Sequence, residues 1–333
     1  MIRRLVFLSL ALAISVVGQT ALNGAGATFP NPMYSKWFSD YHKLHPEVQI
    51  NYQAIGSGGG IRQVLAGTVD FGASDSPMTD EQLAQAKVKI LHVPTVLGAV
   101  VPAYNVPGVS EEVKFSPEVI ADICLGKISN WNDSSIAKDN PNLTLPDRPI
   151  IVVHRSDGSG TNYIFTDYLS KVSSEWKSRV GKGTSVKWPM GLGAKGNEGV
   201  AGMIRQMQGA FGYVELIYAV QNRIPYGMVR NAAGNWLKGS LEGATAAAAS
   251  AKNMPADFRV SITNAGGTDA YPISSFTWLL IPTESKDKTK GKILLDFLTW
   301  MLDEGEKETS QLDYAPLPQS VALKVRQAIK QLR

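Results

Sequence analysis

Apolar periodicity along this chain switches repeatedly between helical and strand spacing, and glycine-rich turns mark the changeovers. Met33, Tyr34, Trp37, Phe38 and Tyr41 follow helical spacing, which predicts a helix over Pro32 to Leu44. Val48 to Ile55 alternates as a strand and ends in a flexible run, Gly56-Ser57-Gly58-Gly59-Gly60. A helix resumes over Ile61 to Ala66, and Val69 to Ala73 reads as a short strand. Val93 to Tyr104 reads as buried strands broken by Pro94 and Pro102. Two prolines and too few residues argue against a membrane span there. Ser116 to Leu125 reads as a helix, and Ile150 to His154 as a buried strand whose turn Asp157-Gly158-Ser159-Gly160 opens a helix over Thr161 to Lys171. Gly191 to Gly199 reads as a glycine-rich turn before the helix Val200 to Gln206, and Phe211 to Val214 as a strand. Residues 241–253 form an alanine-rich surface helix with no chemistry of its own, followed by the strand Phe276 to Ile281 and helices over Ile293 to Leu302 and Ser320 to Ile329. Such alternation implies an α/β fold with mainly parallel sheets. Ligands of such sheets sit where strands lead into helix N-termini, which is where these glycines fall.

The N-terminus fixes the compartment. Arg3 and Arg4 precede an uncharged, largely apolar run of 13 residues from Leu5 to Val17, with small residues at Gly18 and Ala21. That order is a cleavable secretory signal over residues 1–21, which implies export to the periplasm. The run falls short of the roughly 20 apolar residues that span a bilayer. No cysteine closes it, which argues against a lipid anchor. Removing Arg3 and Arg4 leaves 31 basic against 29 acidic side chains, so nucleic acid is not the expected partner. The remaining length suits two lobes of ordinary domain size. Cys124 is the only cysteine, so no intrachain disulfide can form. Its neighbours Ile123 and Leu125 suggest a buried, inert thiol.

Three segments share one chemistry. Ala27-Thr28-Phe29, Gly56-Ser57-Gly58 and Ser159-Gly160-Thr161 each stand at an expected helix start and offer hydroxyls and free N–H groups. Helix starts carry unpaired donors and the positive end of the macrodipole, which suits an anion. Taken singly, each reads first as ordinary capping. Arg155 ends a buried strand at the ligand end, with Asp157 two residues on to hold its guanidinium. Arginine's fork matches an oxyanion, although the same pair serves as a structural bridge elsewhere. Asp75, in Gly72-Ala73-Ser74-Asp75-Ser76-Pro77, is either a turn residue or an acceptor facing a ligand that still carries a proton. Monohydrogen phosphate carries one; sulfate does not.

The segments Gly24-Ala25-Gly26-Ala27-Thr28-Phe29-Pro30, Val69 to Asp75, Arg155-Ser156-Asp157-Gly158-Ser159-Gly160-Thr161 and Lys187-Trp188-Pro189 resemble one family. So do Gly209 to Glu215, Tyr271-Pro272-Ile273 and Leu312-Asp313-Tyr314. Together they resemble the periplasmic phosphate-binding proteins of bacterial phosphate ABC transporters, the PstS family, over almost the whole exported chain. The resemblance implies phosphate ligands at Thr28, Phe29, Ser57, Asp75, Arg155, Ser159, Gly160 and Thr161, supported by Asp157. Gly58 departs from the family, where a second serine is often expected. The resemblance also implies the two-lobed periplasmic-binding-protein fold of type II, each lobe a mixed, mainly parallel sheet flanked by helices. Two hinge strands near Val100 to Asn105 and Ser275 to Ile281 would join a lobe of residues 24–102 plus 277–333 to a lobe of 103–276. The implied partners are inorganic phosphate and the permease subunits of an ABC importer. Free hinge motion favours a monomer.

Other classes find little support. Neither Ser57 nor Ser159 lies in a Gly-x-Ser-x-Gly elbow, and the histidines are only His42, His45, His92 and His154. His154 adjoins Arg155 on a strand, so the two point to opposite faces and His154 reads as structural. No zinc pattern or Walker lysine is present, so no enzyme, metal or cofactor is expected. The nearer rival is a binder of sulfate or molybdate, which Asp75 argues against. A third reading, a surface adhesive or scavenging protein on the same fold, is left open by one chain's sequence.

Overall fold

The computed structural model describes residues 19–109, 111–250 and 254–332. The expected signal segment lies outside these residues except for its end, and Thr20 and Ala21 are the first two residues of a strand. The strands are β1 Thr20–Gly26, β2 Val48–Ala54, β3 Phe71–Ser74, β4 Ile90–Tyr104, β5 Lys114–Phe115, β6 Ile151–Arg155, β7 Leu192–Ala194, β8 Ala210–Glu215, β9 Met228–Arg230, β10 Trp236–Leu237 and β11 Ser274–Pro282. Eight of them form one sheet in the order β2-β1-β3-β11-β4-β8-β6-β7, and β10-β9-β5 form a small second sheet. β1 runs parallel to β2 and β3, and β6 parallel to β7 and β8. Between these parallel sets lie β11 and β4, antiparallel to their neighbours. The α/β class read from the periodicity is the observed one.

β4 is a single strand of 15 residues, buried throughout, rather than the broken pieces its prolines suggested. Ile90 to Ala99 pair with β11, and Val100 to Tyr104 pair with β8, so one strand passes from one parallel set to the other. Each half of β4 thus has one strand neighbour, which is the setting in which a strand tolerates a proline. Pro94 also stands where the β11 register shifts, between Thr277 and Trp278.

Two further expectations are corrected by close packing. The glycines after Gly56 are not a flexible run: the helix begins at Ser57 and runs to Ala66. A Cβ on Gly60 would lie 2.6 Å from the Ala25 carbonyl oxygen and from Gly26 Cα, so glycine lets this helix lie directly on β1 and β3. Likewise, the run Gly191 to Gly199 holds β7 and the start of the helix Gly196–Gln206. The alanine-rich helix, Leu241–Ser250, buries Gly243, Ala244, Ala247 and Ala248 against β4 and β11; residues 251–253 lie outside the described ones.

The helix Asn31–Leu44 buries the five apolar residues of its sequence stripe. Tyr34, Phe38 and Tyr41 pack with Tyr52, Phe71 and Phe297 under the β1–β3 side. Tyr104, Phe115, Trp131 and Phe211 form the matching aromatic group beside β8. Cys124, on the helix Pro117–Cys124, is buried, and burial pushes its thiol up, which keeps it unreactive. Among the described residues, no helix is long and apolar enough to cross a membrane.

Candidate functional site

The strands β1, β3 and β6 all end at one place, and each delivers a polar segment to it. After β1 come Thr28 and Phe29, both buried, just before the helix Asn31–Leu44. Phe29 packs its ring against Gly98, where a Cβ would come within 2.6 Å of Phe29 Cζ, and its carbonyl accepts from Tyr314 OH at 2.5 Å. Ser57 opens the helix that follows β2. Its Oγ accepts from the Asp75 N–H at 3.2 Å and from the Gly160 N–H at 3.0 Å.

Asp75 follows β3 and is 1% exposed. Its Oδ1 accepts from the Thr277 hydroxyl at 2.7 Å, while Oδ2 stands 3.5 Å from Ser57 Oγ. Burial pushes its carboxyl up to about 7, against the opposing pull of Thr277, the Arg155 charge and Ser57. At neutral pH this group therefore stands between acceptor and donor.

Arg155 closes β6, and its fork grips Asp157: Nε to Oδ1 at 2.8 Å and Nη2 to Oδ2 at 2.6 Å. Burial raises the Asp157 carboxyl, but the Arg155 pair and the Gly196 N–H outweigh it and hold Asp157 below the ordinary range. Arg155 Nη1 is buried and finds no hydrogen-bond partner among the described residues. A buried cation with an unused donor is costly unless something anionic faces it. His154, on the other face, stacks on Trp188 at 4.9 Å, as its structural reading expected.

Ser159 caps the helix Gly160–Val172, its Oγ accepting from the Asn162 N–H at 3.1 Å, so the hydroxyl proton is free to donate elsewhere. A Cβ on Gly160 would lie 2.5 Å from both Asp75 Oδ2 and Ser57 Oγ, so only glycine admits this approach. The Gly58 N–H donates to the Gly158 carbonyl at 2.8 Å, and a Cβ on Gly58 would sit 3.2 Å from Gly158 Cα. That crowding gives the departure at Gly58 a physical setting: two glycine backbones meet there. Thr161 and Thr28 are joined through Asn197, which donates to both hydroxyl oxygens.

The sequence-derived residues thus converge from both parallel sets. Several others around them were not singled out. Asn197 and Thr277 touch them directly, and Tyr218 OH bonds the Thr28 carbonyl at 2.5 Å. Behind Phe29, Glu215 is fully buried, accepts from the Ile217 N–H and lies beside Tyr314; burial pushes its carboxyl well above the ordinary range. Glu215 and Tyr314 lie within segments that carried the resemblance. Asn197 was hidden in a run read as a turn, and Thr277 in an apolar strand.

Comparison with known proteins places this geometry. The chain matches the PBP superfamily domain over residues 15–304. It is 47% identical over 306 residues to the phosphate-binding protein PstS of Xylella fastidiosa, covering 91% of this chain and 83% of that one. It is 46% identical to the phosphate-binding protein PstS of Pasteurella multocida, over 94% of this chain and 91% of that one. Among solved structures it resembles a high-affinity periplasmic phosphate-binding protein bound with phosphate, with TM-score 0.74, 21% identity and 92% and 93% of the two chains covered. A phosphate-binding protein from Stenotrophomonas maltophilia gives TM-score 0.71 at 20% identity, again over 92% and 93%. These structures share the two-lobed periplasmic-binding fold. With a buried arginine, convergent helix starts and nearly half of its residues in common with those relatives, the chain belongs to the PstS family of phosphate-binding proteins.

Proposed function

We propose that this protein binds inorganic phosphate between its two lobes and delivers it to an ABC importer. The observation that carries the reading is Arg155, a buried cation with an unused donor beside hydroxyls, helix-start N–H groups and the carboxyl of Asp75. The names of its relatives point the same way. Thr28, Phe29, Ser57, Asp75, Arg155, Ser159, Gly160 and Thr161 are the proposed phosphate ligands, with Asp157 holding Arg155. Asp75 accepts a hydrogen bond from the proton that monohydrogen phosphate still carries. Sulfate offers no such proton and would leave that acceptor facing bare negative charge.

Residues 24–102 with 277–333 make one lobe in this reading, and 103–276 the other. Phosphate bonded to both favours the closed state by its differential affinity for it. The permease subunits then read closure. The proposed protein is a periplasmic monomer, exported by residues 1–21, that performs no catalysis and engages no nucleic acid. Titration calorimetry of the phosphate-stripped protein, with phosphate and then sulfate, tests the reading. At about pH 8, where Asp75 is ionised, tight one-to-one phosphate binding with no heat from sulfate is expected. Sulfate binding, or binding of neither, would sink it.

A further inference from the structure

Asn197 is the second residue of the helix Gly196–Gln206 and is wholly buried. Its Oδ1 accepts from the Glu215 N–H at 3.0 Å. A backbone N–H can only donate, so this contact fixes which end of the carboxamide is oxygen. Nδ2 then faces the opposite way and donates to Thr28 Oγ1 at 2.9 Å and to Thr161 Oγ1 at 3.0 Å. The Asn197 N–H adds a second donation to Thr28 Oγ1 at 3.2 Å.

A hydroxyl has two lone pairs and one proton. Thr28 accepts twice from Asn197, so only its proton remains to be used. Thr161 accepts once, and that bond turns its proton away from Nδ2. We propose that Asn197 is a positioning residue that sets the hydrogen-bond polarity of the site, making Thr28 and Thr161 donors toward the ligand. The proposal rests on the phosphate reading above. The orientation propagates in one direction: Glu215 N–H to Asn197, Asn197 to two threonines, two threonines to an oxyanion. Asp75 is then left as the acceptor among these side chains. Thr161, in the same proposed lobe as Asn197, is oriented before the ligand arrives and loses less freedom on binding, which strengthens the affinity for an anion. Thr28 and Thr161 lie in opposite proposed lobes, so a single amide aligns donors from both upon closure.

The test is phosphate titration of Asn197→Leu and Asn197→Asp beside wild type, with ligand-free thermal unfolding recorded for each. Leucine keeps the bulk and removes both side-chain donations, leaving only the backbone N–H on Thr28; aspartate keeps the shape, and its side chain offers only acceptors when ionised. Asn197→Leu should weaken phosphate binding about tenfold, and Asn197→Asp about a hundredfold or more. Charge repulsion contributes to the second loss, so the deciding quantity is a coupling. In a Thr28→Val background, Asn197→Leu should cost at least about threefold less than it does in wild type. Equal losses in the two backgrounds would assign Asn197 to packing alone and overturn the proposal, as would wild-type affinity in Asn197→Leu. If Asn197→Leu does not fold, the same cycle is run with Asn197→Ala and judged by the same ratio. Failure of wild type to bind phosphate would bring down the underlying reading instead, and the titration of wild type tells the two failures apart.

Discussion

Thr277 donates its hydroxyl to Asp75 Oδ1 at 2.7 Å and thereby decides which oxygen of that carboxyl is committed to the protein. The other oxygen, Oδ2, is the one beside Ser57 and Gly160. A strand residue from β11 thus orients a loop carboxyl that follows β3.

This arrangement predicts that selectivity between phosphate and sulfate depends on the protonation of Asp75. The carboxyl sits near pH 7 because burial disfavours its charge. An ionised Asp75 accepts a hydrogen bond from the P–OH of monohydrogen phosphate and repels sulfate; a protonated one can donate to sulfate. Asp75→Asn is a permanent donor, so at about pH 8 it should lose about a hundredfold or more of the discrimination. Wild type should begin to bind sulfate as the pH falls below about 6. Sulfate titrations at both pH values check this. An Asp75→Asn protein as selective as wild type would remove Asp75 from the mechanism.

The same carboxyl predicts a pH dependence of folding without ligand. Its folded pKa of about 7 lies above its ordinary value of 3.8. The folded state therefore holds the extra proton between those values, and stability falls as pH rises through that window. The penalty is absent below the unfolded pKa and complete above the folded one, on the order of 4 kcal/mol. Glu215 and Glu306, also raised by burial, act with the same sign. Comparison with Asp75→Asn isolates the Asp75 share: thermal unfolding between about pH 4 and 7 should fall less steeply in the variant. Parallel curves for the two proteins would contradict it.

How far the sequence could be read follows from which interactions are local. The helix Asn31–Leu44 and β2 follow their periodicity, because each buries a face set by residues a few positions apart. The eight proposed ligand positions were nameable only through resemblance, since helix starts with Ser, Thr and Gly occur in most chains. What was missed is non-local. Gly58, Gly59 and Gly60 look like a loop by composition; they lie in a helix that meets Gly158 at Gly58, Ile55 at Gly59 and the backbones of β1 and β3 at Gly60. β4 looked broken because a proline's tolerance depends on whether a neighbouring strand needs its N–H. Asn197 reaches Thr28 across 169 positions, a separation that spacing rules cannot bridge.

Gly60 carries the third prediction. Alanine there would gain helix propensity of about 1 kcal/mol. Its Cβ, however, would meet the Ala25 and Ala73 carbonyl oxygens at 2.6 and 2.7 Å, both backbone atoms that cannot rotate away. Forced overpacking typically costs about 1–3 kcal/mol, and here it lifts the helix that carries Ser57. Gly60→Ala should therefore lower both the unfolding temperature and phosphate affinity, whereas Gly202→Ala, with open space around it, should lower neither. Chemical denaturation and titration of the two variants give the comparison. Equal stability in both would mean the helix stands farther from the sheet than described.

Arg259 carries the last. Its Nη1 donates to Asp80 Oδ1 at 2.7 Å and to the Met78 carbonyl at 3.0 Å, while Nε holds Asp257 at 2.8 Å. Two and four residues on, Ser261 and Thr263 each donate to Asp167 Oδ2 at 2.6 Å, on the helix Gly160–Val172. In the proposed division, Asp80 belongs to one lobe and Arg259 and Asp167 to the other, so the segment straps the mouth of the cleft. Asp80 is 83% exposed in its side chain, so the ion pair is worth at most about 1 kcal/mol. Arg259→Ala should then speed phosphate release by no more than about fivefold at low salt. The difference should shrink at about 1 M salt, where the pair is screened. Stopped-flow release at both salt concentrations measures it. An unchanged rate at low salt would show that the strap does not hold the closed state, and an acceleration insensitive to salt would assign the effect to the Met78 carbonyl contact rather than to charge.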